Sequence, residues 1–379
     1  MPGSGAPGPA RGSVRGSALG SAQGWHRWLG LGLALPLLLI AITGALLLYK
    51  GPVERAFAPE LRIGAGAVEV SAPQVLARLQ AELPQHQPLV LLGPRDGGHA
   101  WVVILDELFG PWAYLHPRSG ELLLLREPLD GPWGWLFMLH TGLFAGEAGE
   151  QVFGVIALLM AGGLMLGLWL WWPEKRLSLR RRPGWARWRD LHLMGGFLAL
   201  PLLLVLALTG AGLVFHGPLD ALANRLGGAE TPRPTVDAAA PLTPQRLQQA
   251  IASARAGLPA EWTLRRVTVA REGRPIELRF RQPGEWHPNG QSRAWVHPAS
   301  GELLAVRRSD DATWPHRILN NLYAWHIGAL GDLPARLPYL IVTLLLVYLS
   351  GSGIWLWWRG RRLRARVHAP RPATREIKA

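Results

Sequence analysis

The stretch HRWLGLGLALPLLLIAITGALLLYKGP (residues 26–52) returns as HLMGGFLALPLLLVLALTGAGLVFHGP at residues 192–218. The leading histidine, the Thr-Gly pair and the Gly-Pro pair of the two copies are each separated by 166 residues, so the match needs no gap across these anchors. Both copies are uncharged and largely apolar over most of their length, from Leu29 to Tyr49 in the first and from Leu193 to Phe215 in the second. This pattern predicts two membrane-spanning helices at equivalent places of a tandem repeat.

A second pair of segments matches at a different offset. His140-Thr-Gly leads to Gly167-Leu-Trp-Leu-Trp-Trp172, and His326-Ile-Gly leads to Gly353-Ile-Trp-Leu-Trp-Trp358, 186 residues later. Four histidines therefore occur as two matched pairs near the ends of apolar helices. Such an arrangement is typical of haem held between helices by axial imidazoles.

Four uncharged apolar runs are long enough to cross a membrane as helices of roughly 30 Å. They are Leu29–Tyr49, Val152–Trp172, His192–Phe215 and Leu337–Trp358. We therefore predict a membrane all-α fold with four transmembrane helices in two tandem repeats, each with a small α+β domain outside the membrane. The first run lacks a clear small-residue cleavage site, so we interpret it as an uncleaved anchor.

The net charge of +14 is concentrated beside these runs. Basic residues precede the first run, fill the segment between the second and third, and follow the fourth. The positive-inside rule places these segments and both termini in the cytoplasm, as expected for a multi-pass protein of the bacterial inner membrane. Because the charge follows the membrane topology, a nucleic-acid-binding function is disfavoured.

The segments are predicted in a fixed order along the chain. They are a disordered cytoplasmic tail (1–24), transmembrane helix 1 (25–50), a first periplasmic domain (51–132), an outer segment with transmembrane helix 2 (133–173), a basic cytoplasmic loop (174–190), transmembrane helix 3 (191–216), a second periplasmic domain (217–315), an outer segment with transmembrane helix 4 (316–359) and a basic cytoplasmic tail (360–379). The chain has no cysteine. This excludes iron–sulfur clusters, disulfides and thiol redox chemistry within it.

The two external segments carry matching turns between predicted strands. The first turn is His116-Pro-Arg-Ser-Gly-Glu121, and the second is His297-Pro-Ala-Ser-Gly-Glu302. Upstream, Ser71-Ala-Pro73 and Thr243-Pro244 each predict a helix start. The hydroxyl caps free amides there, and proline lacks the amide that would be left unpaired.

With these turns between four histidine-bearing helices, the chain resembles the PepSY-associated transmembrane protein family over about residues 25–360. That family includes iron-regulated inner-membrane proteins. The resemblance to its siderophore reductases implies two b-type haems and a ferric siderophore, or another ferric chelate, as electron acceptor. The chain departs from the family pattern in carrying His116 and His297 where aspartate is usual, and a turn tolerates either residue.

We predict that the matched histidines ligate two haems. His26 and His192 would hold an inner haem near the cytoplasmic surface, and His140 and His326 an outer haem. Two axial histidines saturate the iron, which favours electron transfer over oxygen binding. His216 matches Lys50 and is an alternative ligand that would replace His140 or His326. The alternative interpretation is that these histidines are interfacial or helix-capping residues without a cofactor.

Small residues near the histidines are expected to make room for the porphyrin. Gly30 and Gly196 lie four residues after their histidines on the same helix face, and Gly142 and Gly328 flank the outer pair.

Two further features have plainer interpretations. Thr43 and Thr209 are most simply helix-packing residues, with a hydrogen bond to a haem propionate as the alternative. His316 has no matched histidine, and it is expected to contact solvent or substrate.

These features favour a dihaem reductase, although the sequence identifies no catalytic residue. Several external arginines are candidates for holding an anionic chelate: Arg265, Arg266, Arg279 and Arg281. No glycine-rich dinucleotide motif and no P-loop is found, so electrons are expected from a separate donor, either a quinol or a cytoplasmic reductase.

The alternative is a non-enzymatic membrane scaffold or regulator whose external domains bind a partner protein and whose histidines bind no cofactor. A transporter is disfavoured, because the interiors of the apolar runs hold no acidic or basic residue for an ion pathway.

Overall fold

The computed structural model describes residues 11–107, 109–173, 184–237, 240–271, 273–331 and 333–367. Its helices are α1 (Arg11–Leu48), α2 (Lys50–Phe57), α3 (Ala72–Glu82), α4 (Pro132–Gly142), α5 (Gly146–Trp171), α6 (Trp185–Val214), α7 (His216–Gly227), α8 (Pro244–Arg255), α9 (Trp314–His326) and α10 (Leu337–Val367). Its strands are β1 (Pro88–Leu92), β2 (Trp101–Leu105), β3 (Trp112–Leu115), β4 (Leu122–Arg126), β5 (Thr263–Thr268), β6 (Ile276–Arg281), β7 (Ser292–Val296) and β8 (Leu303–Arg307).

Four of these helices, α1, α5, α6 and α10, are long and apolar enough to cross a membrane. Their apolar spans are Gly20–Leu48, Gly146–Trp171, Ala186–Val214 and Leu333–Leu363. An α-helix satisfies all of its backbone hydrogen bonds internally, which is the condition for crossing lipid. The described part of the chain therefore has the four transmembrane helices that the apolar runs predict.

The four long helices form a bundle with a fixed neighbour order. Helix α1 packs against α5 and α10, and α6 packs against the same two helices. Helices α1 and α6 therefore occupy opposite corners. An apolar layer that includes Leu37, Ala41, Leu203, Ala207 and Val342 fills the middle of the bundle.

Two short helices pack beside the bundle and end in histidines. Helix α4 packs against α1 and α5, and α9 packs against α6 and α7. Each begins with proline at its first or second position, where the missing amide costs no intrahelical hydrogen bond. His140 lies in the last turn of α4, and His326 ends α9.

Outside the bundle, all eight strands form one antiparallel sheet in the order β4-β3-β2-β1-β5-β6-β7-β8. The two halves join where β1 pairs with β5, with Leu91 opposite Val267. The four apolar helices agree with the predicted membrane class, but the prediction gave each half its own small α+β domain, and in the structure the strands of both halves form one sheet. The joint also leaves neither β1 nor β5 as an exposed strand edge, which would otherwise be free to pair with another chain.

One hydrophobic core serves both halves of the sheet. Helices α3 and α8 contact each other, and they pack on one sheet face. Leu76, Leu79, Leu91 and Phe280 are all buried in that core. We therefore expect the two external halves to unfold together.

Hydrogen bonds within the two matching turns show how histidine can serve there in place of aspartate. Nδ1 of His116 accepts from the amides of Arg118 and Ser119. Nδ1 of His297 accepts from the amides of Ala299 and Ser300 in the same way. The ring nitrogen therefore performs the turn-closing role of an aspartate oxygen.

The amino-terminal segment differs from its prediction. Residues 1–24 were predicted to be disordered, and helix α1 begins at Arg11. Extending an existing helix adds one hydrogen bond for each residue ordered, so a helix can continue through a glycine-rich segment once the apolar span has formed. Residues 1–10, like the basic loop at 174–183 and the tail at 368–379, lie outside the described residues.

Leu91→Ala tests the shared core. Leu91 is fully buried on the strand that joins the halves, so truncation should destabilise the external region by about 2–5 kcal/mol. Thermal unfolding of the external region should remain one transition at a lower temperature. Leu125→Ala, at a side chain on β4 that is 37% exposed, is the matched control and should change little. Two separate transitions would contradict a common core.

Candidate cofactor site

His140 and His326 lie close to each other at the end of the bundle nearest the sheet, and we call them the outer histidines. Their ring centroids lie 6.2 Å apart, and the ring planes are inclined by 46°. If both imidazoles bound one metal, each ligating nitrogen would lie about 2.1 Å from it and each ring centre about 1 Å further away. The two ring centres would then be about 6 Å apart, close to the observed distance. Since a simple contact between two rings has this spacing too, the hydrogen bonds of the rings are needed to tell the two apart.

Two threonines determine which nitrogen of each outer ring carries the proton. Thr43 donates its hydroxyl hydrogen to the Leu39 carbonyl at 2.7 Å, and its oxygen lies 3.0 Å from Nδ1 of His140. A hydroxyl has one hydrogen, so Nδ1 must be the donor to that oxygen. Nε2 of the neutral ring is then left with a free lone pair, the form that binds metals.

The second half repeats these contacts. Thr209 donates to the Val205 carbonyl at 2.6 Å, and its oxygen lies 3.1 Å from Nδ1 of His326. Thr43 and Thr209 were predicted to be helix-packing residues. Both are buried, but their hydroxyls also orient the outer histidines.

The inner histidines are held by the same nitrogen. Nδ1 of His26 lies 3.1 Å from the carbonyl of Gly163, which can only accept. Nδ1 of His192 lies 2.8 Å from the Ser352 hydroxyl, which donates to the Leu349 carbonyl. All four histidines therefore engage Nδ1, and Nε2 has no hydrogen-bond partner among the described residues.

Each histidine ring also lies against a glycine of a neighbouring helix. A Cβ atom on Gly44 would sit 3.0 Å from Cε1 of His140, and one on Gly210 would sit 3.1 Å from Cε1 of His326. The corresponding distances are 3.1 Å for Gly167 with His26 and 3.7 Å for Gly353 with His192.

The glycines that were predicted to make room for a porphyrin are at other positions, and that prediction stays untested. Gly30 has no neighbour within 4 Å of an added Cβ, and Gly196 faces Leu349. Gly142 and Gly328 face Glu150 and Tyr339 instead of a histidine. Gly44, Gly167, Gly210 and Gly353 all belong to the repeated motifs, so the repeat was the signal that could have identified them.

The histidines form two levels in the bundle. On α1, His26 precedes Thr43 by 17 residues, and on α6 His192 precedes Thr209 by 17 residues. At 1.5 Å per residue the two levels lie about 25 Å apart, within one bilayer. The apolar layer lies between them. Because α1 and α6 occupy opposite corners, His26 and His192 lie across the bundle from each other.

Two other histidines are placed differently. His216 is exposed at the first residue of α7, and it forms no hydrogen bond or ring contact with the four histidines in the described part of the chain. Its role as an alternative ligand stays a prediction. His316 was expected to contact solvent or substrate, and this was wrong. It is 1% exposed and bonded to Thr313 and Asn224, because it joins α9 to α7.

His287, in the loop before β7, is buried beside Tyr323 of α9, with ring centroids 5.4 Å apart. Burial, together with the charges of Arg279, Arg293 and nearby arginines, lowers the pKa of His287 to about 3. The histidine is therefore neutral at physiological pH.

The chain belongs to the family described as the PepSY-associated TM region, whose family model matches residues 23–360. The match covers the bundle, the sheet and all four histidines. No curated protein matches the chain.

His287 predicts a pH dependence of stability. In the unfolded chain it binds a proton below about pH 6.5, whereas in the folded protein it stays neutral until about pH 3. Its contribution therefore destabilises the fold by up to about 1.4 kcal/mol per pH unit as the pH falls below 6.5. The melting temperature of His287→Gln should fall less between pH 7 and pH 5 than that of the wild type. Equal falls in the two proteins would contradict this assignment.

Proposed function

We propose that this member of the PepSY-associated transmembrane family is a dihaem oxidoreductase of the bacterial inner membrane. In this proposal it passes electrons from the cytoplasmic side to a ferric siderophore or other ferric chelate in the periplasm. The observation that carries the proposal is that four histidines, at two levels, each engage Nδ1 and leave Nε2 free.

The donor sets fit haem b. Among the described residues, no group of three or more His, Cys, Asp or Glu side chains could hold a metal ion. A pair of imidazoles supplies two ligands, and a porphyrin supplies the other four. When bound between two imidazoles, haem provides a one-electron couple with no open position for oxygen.

The residues around each histidine would hold the ligands ready. Thr43 and Thr209 fix the ring tautomer at the outer level, and the Gly163 carbonyl and Ser352 do so at the inner level. Such partners of ligating histidines orient the ring and raise its basicity. The neighbouring glycines let each ring lie close to the adjacent helix.

The apolar layer supports electron transfer rather than transport. Leu37, Leu203, Val342 and Leu346 belong to an apolar layer between the two levels, and the spans carry no acidic or basic residue at this depth. Moving an ion through such a layer is costly. Charge would therefore cross this bundle as electrons.

The inner end of the bundle is where we propose that electrons enter. A cavity of about 400 Å³ is lined by Arg27, Trp28, Trp357 and Arg361. Arg27 follows His26 directly, so this cavity adjoins the inner level. We propose that it lies at the cytoplasmic face, where the positive-inside rule places basic residues, and that a quinol or a cytoplasmic reductase donates there.

A visible absorption spectrum tests the proposal. The purified protein should show a Soret band, and sharp low-spin α and β bands on reduction, with two haems per chain. His326→Ala should lose the outer haem and keep the inner one, and His192→Ala should do the opposite. His99→Ala, in an exposed loop, is the control and should keep both. A colourless wild-type protein would rule out the proposal.

The threonines give a second test with a close control. Thr209→Val should weaken the hold on the outer haem about 10–100-fold, because the ring loses the acceptor that orients it. Haem retained after incubation with a haem-scavenging protein measures this. Thr343→Val is the control, because that hydroxyl bonds only backbone carbonyls of α10. Equal haem loss in both variants would contradict a role for Thr209.

A further inference from the structure

A row of arginines crosses one face of the sheet. Strand pairing places Arg266 opposite Arg279, Arg279 opposite Arg293, and Arg293 opposite Arg307. Directly opposed residues share a face, and neighbouring strands lie about 4.8 Å apart. We call these four residues the arginine ladder. Like charges directly opposite one another destabilise a sheet, so the ladder needs a counter-charge.

Within the described residues an ion pair supplies counter-charge at one end of the ladder only, while Glu277 acts on Arg266 and Arg279 without forming an ion pair. Arg307 pairs with Glu230 at 2.6 Å. Among the residues that the structure describes, Arg266, Arg279 and Arg293 form no ion pair.

Donor atoms in the ladder also lack acceptors. Arg293 makes no side-chain hydrogen bond within the described residues, and Arg266 reaches only the Thr268 hydroxyl, at 3.3 Å. Arg279 donates to the Gly290 carbonyl at 2.6 Å, but its buried Nε has no partner.

Other elements bring more positive charge to the same place. Tyr323 of α9 is 40% exposed, so water reaches it. Burial raises the pKa of Tyr323, and the charges of Arg95, Arg336 and Arg266 oppose that rise, so these guanidinium groups lie near its hydroxyl. We call this group of residues, the ladder with Tyr323, Arg95 and Arg336, the basic recess. Nε of Arg336 is also buried without a partner.

The carboxylates of Glu277, Glu285 and Asp96 lie near the recess, and they are outnumbered by its arginines. Glu277 accepts from the indole of Trp295 at 3.0 Å. Glu285 accepts from the Gln282 amide, and burial raises its pKa, although nearby Arg279 and Arg281 oppose that rise. Apart from Arg307, which pairs with Glu230, the recess holds five guanidinium groups: Arg266, Arg279, Arg293, Arg95 and Arg336.

The recess lies close to the outer histidines. Tyr323 and His326 are three residues apart on α9, which places them about 4.5 Å apart along the helix axis, on neighbouring positions of one face. An anion held by the ladder would therefore lie beside the outer histidine level.

We propose that the basic recess binds a small polycarboxylate anion, with carboxylate groups spaced to meet successive arginines of the ladder. Guanidinium groups pair with carboxylates through two parallel hydrogen bonds, and the unpartnered donors supply them. If the protein is the proposed reductase, the electron acceptors would be ferric hydroxycarboxylates, and this part of the inference rests on the proposed function. The carboxylate source is a free solute rather than the propionates of a haem.

Calorimetric titration of the full chain in lipid nanodiscs with citrate tests the binding. The wild type should bind citrate, and binding should weaken as ionic strength rises. Arg266→Gln/Arg293→Gln should weaken binding about tenfold or more, because two charge-assisted contacts are lost. Arg78→Gln, exposed on α3 at the opposite sheet face, is the control and should bind as the wild type does. No citrate binding, or equal binding in all three proteins, would overturn the proposal.

Two further measurements separate the alternatives. The double variant should melt no lower than the wild type in citrate-free buffer, because it removes like charges; a lower melting temperature would assign the arginines to folding. Its haem content should also equal that of the wild type. Lost haem without citrate binding to the wild type would assign the ladder to haem propionates and overturn the proposal.

Citrate binding does not depend on haem, so the inference and the proposed function can fail separately. A colourless protein that binds citrate through the ladder would rule out the proposed reductase function and support the anion site. A protein that contains two haems and does not bind citrate would support the proposed function and rule out the anion site. If both hold, reoxidation of the reduced protein by ferric citrate should slow about tenfold in the double variant, while reoxidation by an uncharged ferric chelate should not change.

Discussion

The hydrogen bond at Nδ1 of each histidine is the interaction on which the candidate site depends. An imidazole has two nitrogens, and a partner that can only accept from Nδ1 forces the free lone pair onto Nε2. A carbonyl does this directly for His26, and hydroxyls already committed to backbone carbonyls do it for the other three. A ring that merely filled space would not need the same nitrogen engaged four times, and at the outer level the same threonine–histidine contact occurs in both halves.

The joined sheet adds a second constraint, because it ties the two halves of the bundle to each other outside the membrane. Pairing of β1 with β5 and the shared core under α3 and α8 restrict relative motion of the halves. His140 follows the first set of strands and His326 follows the second. A rigid sheet above them would therefore help to keep the distance between the two rings constant, which a pair of ligands from different halves requires.

The sequence was a good guide to the helices and histidines and a poor guide to their neighbours. Apolar length predicts the four spans, and the equal offsets single out the four histidines, because both signals are local or repeated along the chain. Which glycine lies against a ring depends on helix neighbours and rotation, so the sequence did not show that Gly167 contacts His26. The β1–β5 joint and the burial of His316 also depend on long-range packing that a single sequence does not record.

The apolar layer of the bundle and the arginine ladder of the sheet have opposite effects on ions. In the bundle, the layer around Leu203 is apolar and resists ions, so any charge moving between the levels must be carried by something other than an ion. Above it, the arginine ladder concentrates positive charge without ion-pair partners for three of its members. A field of that sign attracts anions and repels cations before any specific contact forms. Because the ladder lies next to the outer histidines, its field would favour the approach of anions to them. Under the proposed function, the electron transfer itself would take place at the histidines.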